Sequence, residues 1–499
     1  MKSYLAIDMG ASSGRHILGN FDGSKIYLEE VYRFENGPVD LADNLFWDLP
    51  KLWTHVIDGM RAAKERNSNI TSIGVDTWGV DYALLARDDT LLGNPYAYRD
   101  SRTDGAMEKA FAEVPRNEIF KQSGLQFMQF NTLYQFLTMK WCKSPLLDVA
   151  ESFLMIPDLF HWLLSGVKSN EFTNATTTQF FDPVKNDWAK PLLESFGLPT
   201  HLLGPISAPG TSLGPLRKKV AEATGLSNLQ VVLPGSHDTA SAVMSVPTAS
   251  ATGKTDWCYI SLGTWALMGI ESPQPVVNET VSELNFTNEG GIGGTMRILK
   301  NICGMWLIQE CRRIWVQHGK KNSSGNPWDW EDLNWMTASA TPLVSFINPD
   351  AQDFLGPTDM PEAIRRFCQN TGQTVPDNEG AILRCVLDSI AMKFRHVLEM
   401  CERISGNRVE TIHIVGGGTK NLQLCQAAAD ATNRRVVTGP IEATAIGNIM
   451  MQAVAAGDVN GIQEARQVIR SSFDVVEFLP TAERAKSFDD AYPKFLKLI

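Results

Sequence analysis

Asp8, Gly10, Ser12, Ser13 and Arg15 lie between two apolar runs, Tyr4-Leu5-Ala6-Ile7 and a second one through Ile17 and Leu18. That pattern reads as a β-hairpin with a tight turn of small residues and an acid at its mouth. Such a turn exposes backbone N–H groups and hydroxyls, the donors a phosphate oxygen needs. The small residues let backbone approach phosphate, and Arg15 adds positive charge beside a transferring group. An acid at a strand end can hold Mg²⁺ or its waters near the terminal phosphate. Tyr259-Ile260-Ser261-Leu262-Gly263-Thr264-Trp265-Ala266-Leu267-Met268 repeats the plan in the second half of the chain. One phosphate hairpin per half suggests two similar lobes gripping a nucleotide between them, and hence an ATP-dependent enzyme.

The elements that must position these turns are legible in outline. Lys25–Phe34 reads as a further strand, and Leu49–Ala63 as a helix burying Leu52, Val56, Met60 and Ala63 at helical spacing. Ile70–Asp76 is a buried strand leading into Thr77-Trp78-Gly79, with Asp81–Leu85 as its continuation. Residues 104–165 are mainly helical, and 166–215 are loop-rich and punctuated by proline. Val231–Leu233 is a short strand ending at Pro234-Gly235-Ser236-His237-Asp238. The small, polar stretch Val246–Lys254 marks a lobe boundary. In the second lobe, Ile382–Cys401 is an amphipathic helix. Thr411–Val415 is a strand running into Gly416-Gly417-Gly418, followed by helices over Asn421–Ala431 and Glu442–Ala456. The expected division is 1–246, 255–457 and a C-terminal extension, 458–499.

Composition removes several classes. At 499 residues the chain exceeds one ordinary core, and two domains of roughly 240 residues suit the usual size range. A net charge of -11 argues against nucleic acid or an anionic membrane as partner. No apolar run approaches the ~20 residues that span a bilayer, and no signal core follows Lys2, so a cytoplasmic protein is expected. The eight cysteines are scattered without a CxxC pair, which suits free, mostly buried thiols, although a local Cys368–Cys385 bridge is sterically conceivable. Gly253-Lys254-Thr255 lacks the earlier glycine of a P-loop, and Gly291-Ile292-Gly293-Gly294 lacks the last glycine of a dinucleotide fingerprint.

The hairpin at Asp8–Arg15, its repeat and the Gly416–Gly418 strand exit resemble the phosphate and adenosine motifs of the FGGY sugar kinases. Those kinases belong to the actin/hexokinase/heat-shock-70 superfamily. The resemblance runs over nearly the whole chain. It implies an α/β fold of two ribonuclease-H-like lobes with an interlobe ATP cleft. Four strings, Asp76–Asp81, Tyr98–Arg102, Phe172–Gln179 and Ser236–Ser241, resemble the branch of that family acting on L-rhamnulose. That branch makes L-rhamnulose 1-phosphate in rhamnose breakdown. Kinases of other ketoses, such as L-fuculose or L-xylulose, share the same core. A non-catalytic ATP- or sugar-binding protein of the superfamily is the remote alternative.

The resemblance also implies roles for single residues. The family's catalytic base falls on Asp238, and a poorly nucleophilic sugar hydroxyl does need a carboxylate to accept its proton. As a residue alone, Asp238 reads equally as the cap of a helix beginning at Thr239. Gly79, His237, Thr239 and Asn301 would contact the small-molecule ketose. Ala11, Ser12, Ser13, Gly14, Arg15, Thr264, Gln309 and Gly417 would hold ATP, with Asp8 carrying Mg²⁺ through water. Trp78 reads either as a sugar-stacking surface or as core, and Asp81 and Arg99 as further polar candidates.

Overall fold

Tyr4, Leu5, Ala6 and Ile7 have almost no exposed surface, and an unbroken apolar run of that kind is what a strand covered on both faces requires. The computed structural model describes residues 1–499. It forms two compact units. One comprises Met1–Lys254, Glu271–Ile298 and Glu442–Phe473, the other Thr255–Ile270, Leu299–Ile441 and Asp474–Ile499. The helix after Glu442, read above as part of the second lobe, therefore packs with the first unit.

In the first unit, β1 (Lys2–Met9), β2 (Ser13–Phe21), β3 (Ile26–Glu35), β4 (Ile70–Thr77), β5 (Ser212–Pro215) and β6 (Gln230–Val232) form one sheet. Its order is β3-β2-β1-β4-β6-β5. β1 and β2 are the antiparallel hairpin, with Asp8 opposite Arg15. β4 runs parallel to β1 and places Asp76 beside Asp8. The segment Tyr82–Leu85 does not continue β4: it pairs antiparallel with Ser152–Met155 in a separate two-stranded sheet. The chain turns away at Val80, a β-branched residue at φ 67°.

One face of this sheet packs Leu5, Ile7 and Met9 against α1 (Leu49–Arg66), whose Leu52, Val56, Met60 and Ala63 form the buried stripe. Asp48 caps α1 by accepting from the Lys51 N–H. A second core joins Tyr4, Ala6 and Ile17 to Ile446, Ile449 and Met450 of a later helix.

The second unit repeats the sheet plan. Its strands are β7 (Trp257–Leu262), β8 (Trp265–Ser272), β10 (Met296–Cys303), β11 (Thr411–Val415), β12 (Arg435–Thr438) and β13 (Glu477–Phe478); Glu271–Ser272 of β8, Met296–Ile298 of β10 and the whole of β9 (Thr287–Gly290) belong to the first unit. The order β10-β8-β7-β11-β12-β13 again sets a hairpin beside two parallel strands and an antiparallel edge. All eight cysteines are free thiols. No helix is long and apolar enough to cross a membrane.

Candidate functional site

The two hairpin turns close in the same way, Gly10 N–H to Ser13 O at 2.9 Å and Gly263 N–H to Trp265 O at 2.8 Å. In the first turn Ser12 is exposed, while Asn36 donates its side-chain amide to Gly10 O at 2.8 Å. Gly14 has a packing reason: a Cβ there would lie 2.1 Å from the Phe34 ring on β3. Arg15 is engaged by carboxylates, Nε with Asp8 at 3.0 Å and Nη1 with Glu442 at 2.6 Å. Burial opposes its charge, but Asp8 and then Glu442 outweigh that and raise its pKa.

Asp238 opens the helix α2 (Asp238–Met244), and His237, not Asp238, occupies the cap position. The Thr77 N–H donates to Ser236 O at 2.9 Å, which sets His237 and Asp238 just beyond the end of β4. Thr239, a sugar candidate from the sequence, gives its N–H and hydroxyl to Asp238 Oδ1 at 2.6 and 3.1 Å. The Asp238 side chain keeps about a third of its surface accessible, so it is reachable although desolvated. Burial raises its pKa and Asp8 adds to the rise, while His237 and the Thr239 donors oppose it. Asp76, fully buried, is pushed well up by burial and then by Asp8, against the Asn448 amide donating at 2.6 Å.

The string Phe172–Gln179 proves to be scaffold for this site. Glu171 Oε2 accepts the Ser236 N–H at 3.0 Å and the Ser236 and Thr173 hydroxyls at 2.7 and 2.6 Å. The Asn174 amide bridges Trp78 O and Ser236 O at 3.3 and 3.4 Å, tying the Gly79 loop to the Asp238 loop. At Gly79 a Cβ would sit 3.0 Å from the Thr177 side chain, so a larger residue there would press on Thr177. Trp78 resolves to core: it lies against Trp47, ring centroids 4.1 Å apart, and both indoles donate to Asp81 Oδ2. With Tyr98 N–H and the Gln135 amide also donating, Asp81 is spent on structure.

Later in the chain come α3 (Trp306–Gln317), α4 (Glu379–Ser405), α5 (Leu422–Thr432) and α6 (Ala443–Ala455). On the other side of the first-unit sheet lies α6. Gly447 of α6 meets α2 so closely that a Cβ would fall 1.8 Å from Ser241 O. Glycine is obligatory there, and the contact holds the Asp238 helix against the sheet. Gln452 donates to Leu5 O at 3.0 Å and to Asn448 Oδ1 at 2.7 Å, which aims Asn448 at Asp76.

In the second unit, the Gly263–Thr264 turn is pinned by Met305 and Trp306 N–H groups at the start of α3, each at 3.1 Å. Thr264 Oγ1 meets Gln309 Oε1 at 3.3 Å, bringing two expected nucleotide residues together. Asn301 lies half-buried on β10, in a strand rather than at a helix start. The glycine triplet after β11 divides its work. Gly416 adopts φ +91°, and a Cβ on Gly418 would collide with Leu262 at 2.2 Å, whereas Gly417 alone faces open space. That is room for a ligand against bare backbone.

Four residues at or near the first-unit site escaped the sequence reading: Asp76, Glu289, Arg297 and Glu442. Asp76 had a usable signal, since it ends a buried strand just as Asp8 does. The other three are remote in sequence from the groups they touch.

Each unit thus carries the hairpin-plus-parallel-strand plan. The xylulose kinase of Lactobacillus acidophilus superposes with a TM-score of 0.80 at 16% identity, over 100% of this chain and 98% of that one. Plasmodium falciparum glycerol kinase with ADP superposes at 0.77 and 14%, over 100% and 98%. The fold is that of the two-domain carbohydrate kinases of the actin/hexokinase type. Residues 3–245 match the N-terminal domain of the FGGY family of carbohydrate kinases and residues 258–456 its C-terminal domain. The chain belongs to that family. It is 40% identical to a rhamnulokinase of Bacteroides thetaiotaomicron over 99% of each chain. It is 39% identical to one of Halalkalibacterium halodurans, over 96% of this chain and 99% of that one. With one of Bacillus subtilis the identity is 36%, over 96% and 95%.

Proposed function

We propose that this chain transfers the γ-phosphoryl group of ATP to the primary hydroxyl of L-rhamnulose, giving L-rhamnulose 1-phosphate and ADP in rhamnose breakdown. The observation carrying the substrate is near-full-length similarity, at 36–40% identity, to proteins named rhamnulokinase. The observation carrying the chemistry is a desolvated yet accessible carboxylate, Asp238, at the start of α2.

Asp238 accepts the proton of the attacking hydroxyl as the new O–P bond forms and the bond to the leaving ADP oxygen breaks. The Thr239 N–H and hydroxyl hold one carboxylate oxygen, leaving the other for the sugar. His237 stands beside it as a sugar contact, with Gly79 and Asn301 as further ones. Ala11–Gly14, Arg15, Thr264, Gln309 and Gly417 receive the nucleotide. For the phosphate charge, Arg15 must exchange one of its present carboxylate partners.

Asp8 fits a Mg²⁺ carried with ATP. Magnesium takes one or two carboxylates together with phosphate oxygens and waters, so a cage of protein ligands is not required. When bound, the ion neutralises charge on the transferring group.

The test is coupled ADP release with L-rhamnulose, L-fuculose and L-xylulose, on the wild type and on Asp238→Asn. Turnover should be strongest with L-rhamnulose, and the variant should lose about a thousandfold in kcat. Sugar-independent ATP turnover, or an unaffected variant, would refute the mechanism.

A further inference from the structure

Beside Asp238 the first unit holds a buried charged group that the proposed reaction does not use. Arg297, on β10, has no exposed surface. Its Nε donates to Gly290 O at 2.8 Å, and its Nη2 lies 3.2 Å from Glu289 Oε2 and 3.1 Å from His237 Nδ1. Its Nη1 is buried with no hydrogen-bond partner. Glu289, on β9, is itself buried and stands 3.3 Å from the same His237 Nδ1. The other ring nitrogen, Nε2, lies 3.5 Å from Asp238 Oδ1.

Burying a guanidinium and a carboxylate is costly, and a pair with one donor unsatisfied is a poor way to gain stability. Its geometry suits another task. A guanidinium has donors only and does not lose its proton, so whatever faces Nη2 must accept. Glu289 accepts with a carboxylate oxygen, and His237 can accept at Nδ1 only with its ring proton on Nε2. That proton then points toward Asp238 and the space in front of it. With the opposite tautomer an Nδ1–H finds Glu289 Oε2 at 3.3 Å, but it also sets two hydrogens face to face between Nδ1 and Arg297 Nη2, which lie 3.1 Å apart. The two ring nitrogens differ in this way, and the bond made by one sets the role of the other.

We propose that Arg297, itself fixed by Glu289, is a positioning residue that holds His237 as the Nε2–H tautomer. The imidazole then presents a hydrogen-bond donor beside Asp238 and selects a ketose oxygen that can accept. This rests on the reading of His237 and Asp238 as the sugar end of the site. A site built to donate rejects a substrate lacking the matching acceptor, because its buried donor is then left unpaired. The pair thereby contributes to sugar selection without touching the sugar.

Two measurements test this on the full-length protein. Ring-¹⁵N-labelled histidine spectra read the tautomer directly, with the His237 signals assigned by their loss in His237→Gln. The wild type should show the proton on Nε2, and Arg297→Lys, which keeps the charge but loses the fork, should mix the tautomers. A wild-type proton on Nδ1 overturns the proposal.

The second measurement is a double-mutant cycle between Glu289→Gln and His237→Gln, whose amide supplies an N–H without needing an Nδ1 partner. In the wild-type background Glu289→Gln should raise the ketose KM about tenfold while the ATP KM stays within about twofold. In the His237→Gln background it should have almost no effect. Equal penalties in both backgrounds, or matching rises in both KM values, would assign the pair to the fold alone. Should Glu289→Gln fail to fold, Arg297→Lys takes its place in the cycle. If Asp238→Asn stays active, the base assignment falls while the tautomer result stands. If Asp238→Asn is dead and the wild-type proton lies on Nδ1, only this proposal falls.

Discussion

At the scale of the residue, Asp238 shows how one side chain is prepared by its neighbours. Desolvation and the nearby Asp8 push its pKa up, and His237 and Thr239 pull it back only in part. A carboxylate with a raised pKa accepts a proton more readily near neutral pH than an ordinary aspartate does. In its proposed role as base Asp238 must be ionised, so kcat/KM should fall as pH drops through that raised value. The acid limb of the pH–rate profile should therefore lie above the roughly 3.9 of a free aspartate. A limb at or below that value would mean that another group controls the rate. Gly14 and Gly417 are glycines for different reasons: a side chain at the first would collide with Phe34, while the second opens to space.

At the scale of the element, α6 does the positioning. Its Gly447 admits α2, its Asn448 and Gln452 grip β4 and β1, and Glu442 at its N-terminus holds Arg15. Arg15 is thus shared between Asp8 and Glu442 at 3.0 and 2.6 Å. A phosphate arriving at the β1–β2 turn has to compete with Glu442 for it. Glu442→Gln should therefore lower the KM for ATP, on the order of threefold, the size expected of a partly exposed ion pair. Steady-state kinetics with varied ATP reads this directly, and a raised KM would show that Glu442 orients Arg15 rather than restraining it. These contacts were hard to foresee. The periodicity of residues 442–456 shows a helix, but periodicity does not say which sheet the helix covers. The β1–β2 hairpin, by contrast, could be read from two apolar runs and the turn chemistry between them. Tyr82–Leu85 was misread for a related reason: a short apolar segment carries no mark of its pairing partner, here Ser152–Met155.

At the scale of the whole molecule, burial couples the fold to pH. His16 and His161 are fully buried, and burial pushes each pKa down to about 3. In the unfolded chain a histidine titrates near 6.5, so on acidification the unfolded state binds protons that the folded state refuses. These two residues contribute stability that is complete above the unfolded value and is lost as pH falls toward the folded one. The melting temperature should decline steadily from pH ~6.5 to ~3. His161 Nε2 accepts the Val75 N–H at 3.0 Å, so His161→Gln, which retains an acceptor, should flatten part of that decline. An unchanged slope in the variant would assign the acid sensitivity to other groups.

The chain's local order was written in short stretches. Two hairpins, the stripe of α1, the strand into the glycine triplet and the motif strings are set by neighbours within a few residues, through pleat, helical period and turn chemistry. Those stretches, with the family resemblance that their motifs carry, were enough to reach a duplicated α/β kinase and to single out Asp8, His237 and Asp238 as candidates. The rest depended on tertiary structure. Glu289 and Arg297 meet His237, Glu442 meets Arg15, and Asn448 meets Asp76 across long separations in sequence. Desolvation, which raises the Asp238 pKa, exists only once the surrounding elements have closed over the residue. Charge interaction and burial depend on distance through space, which residue order does not carry.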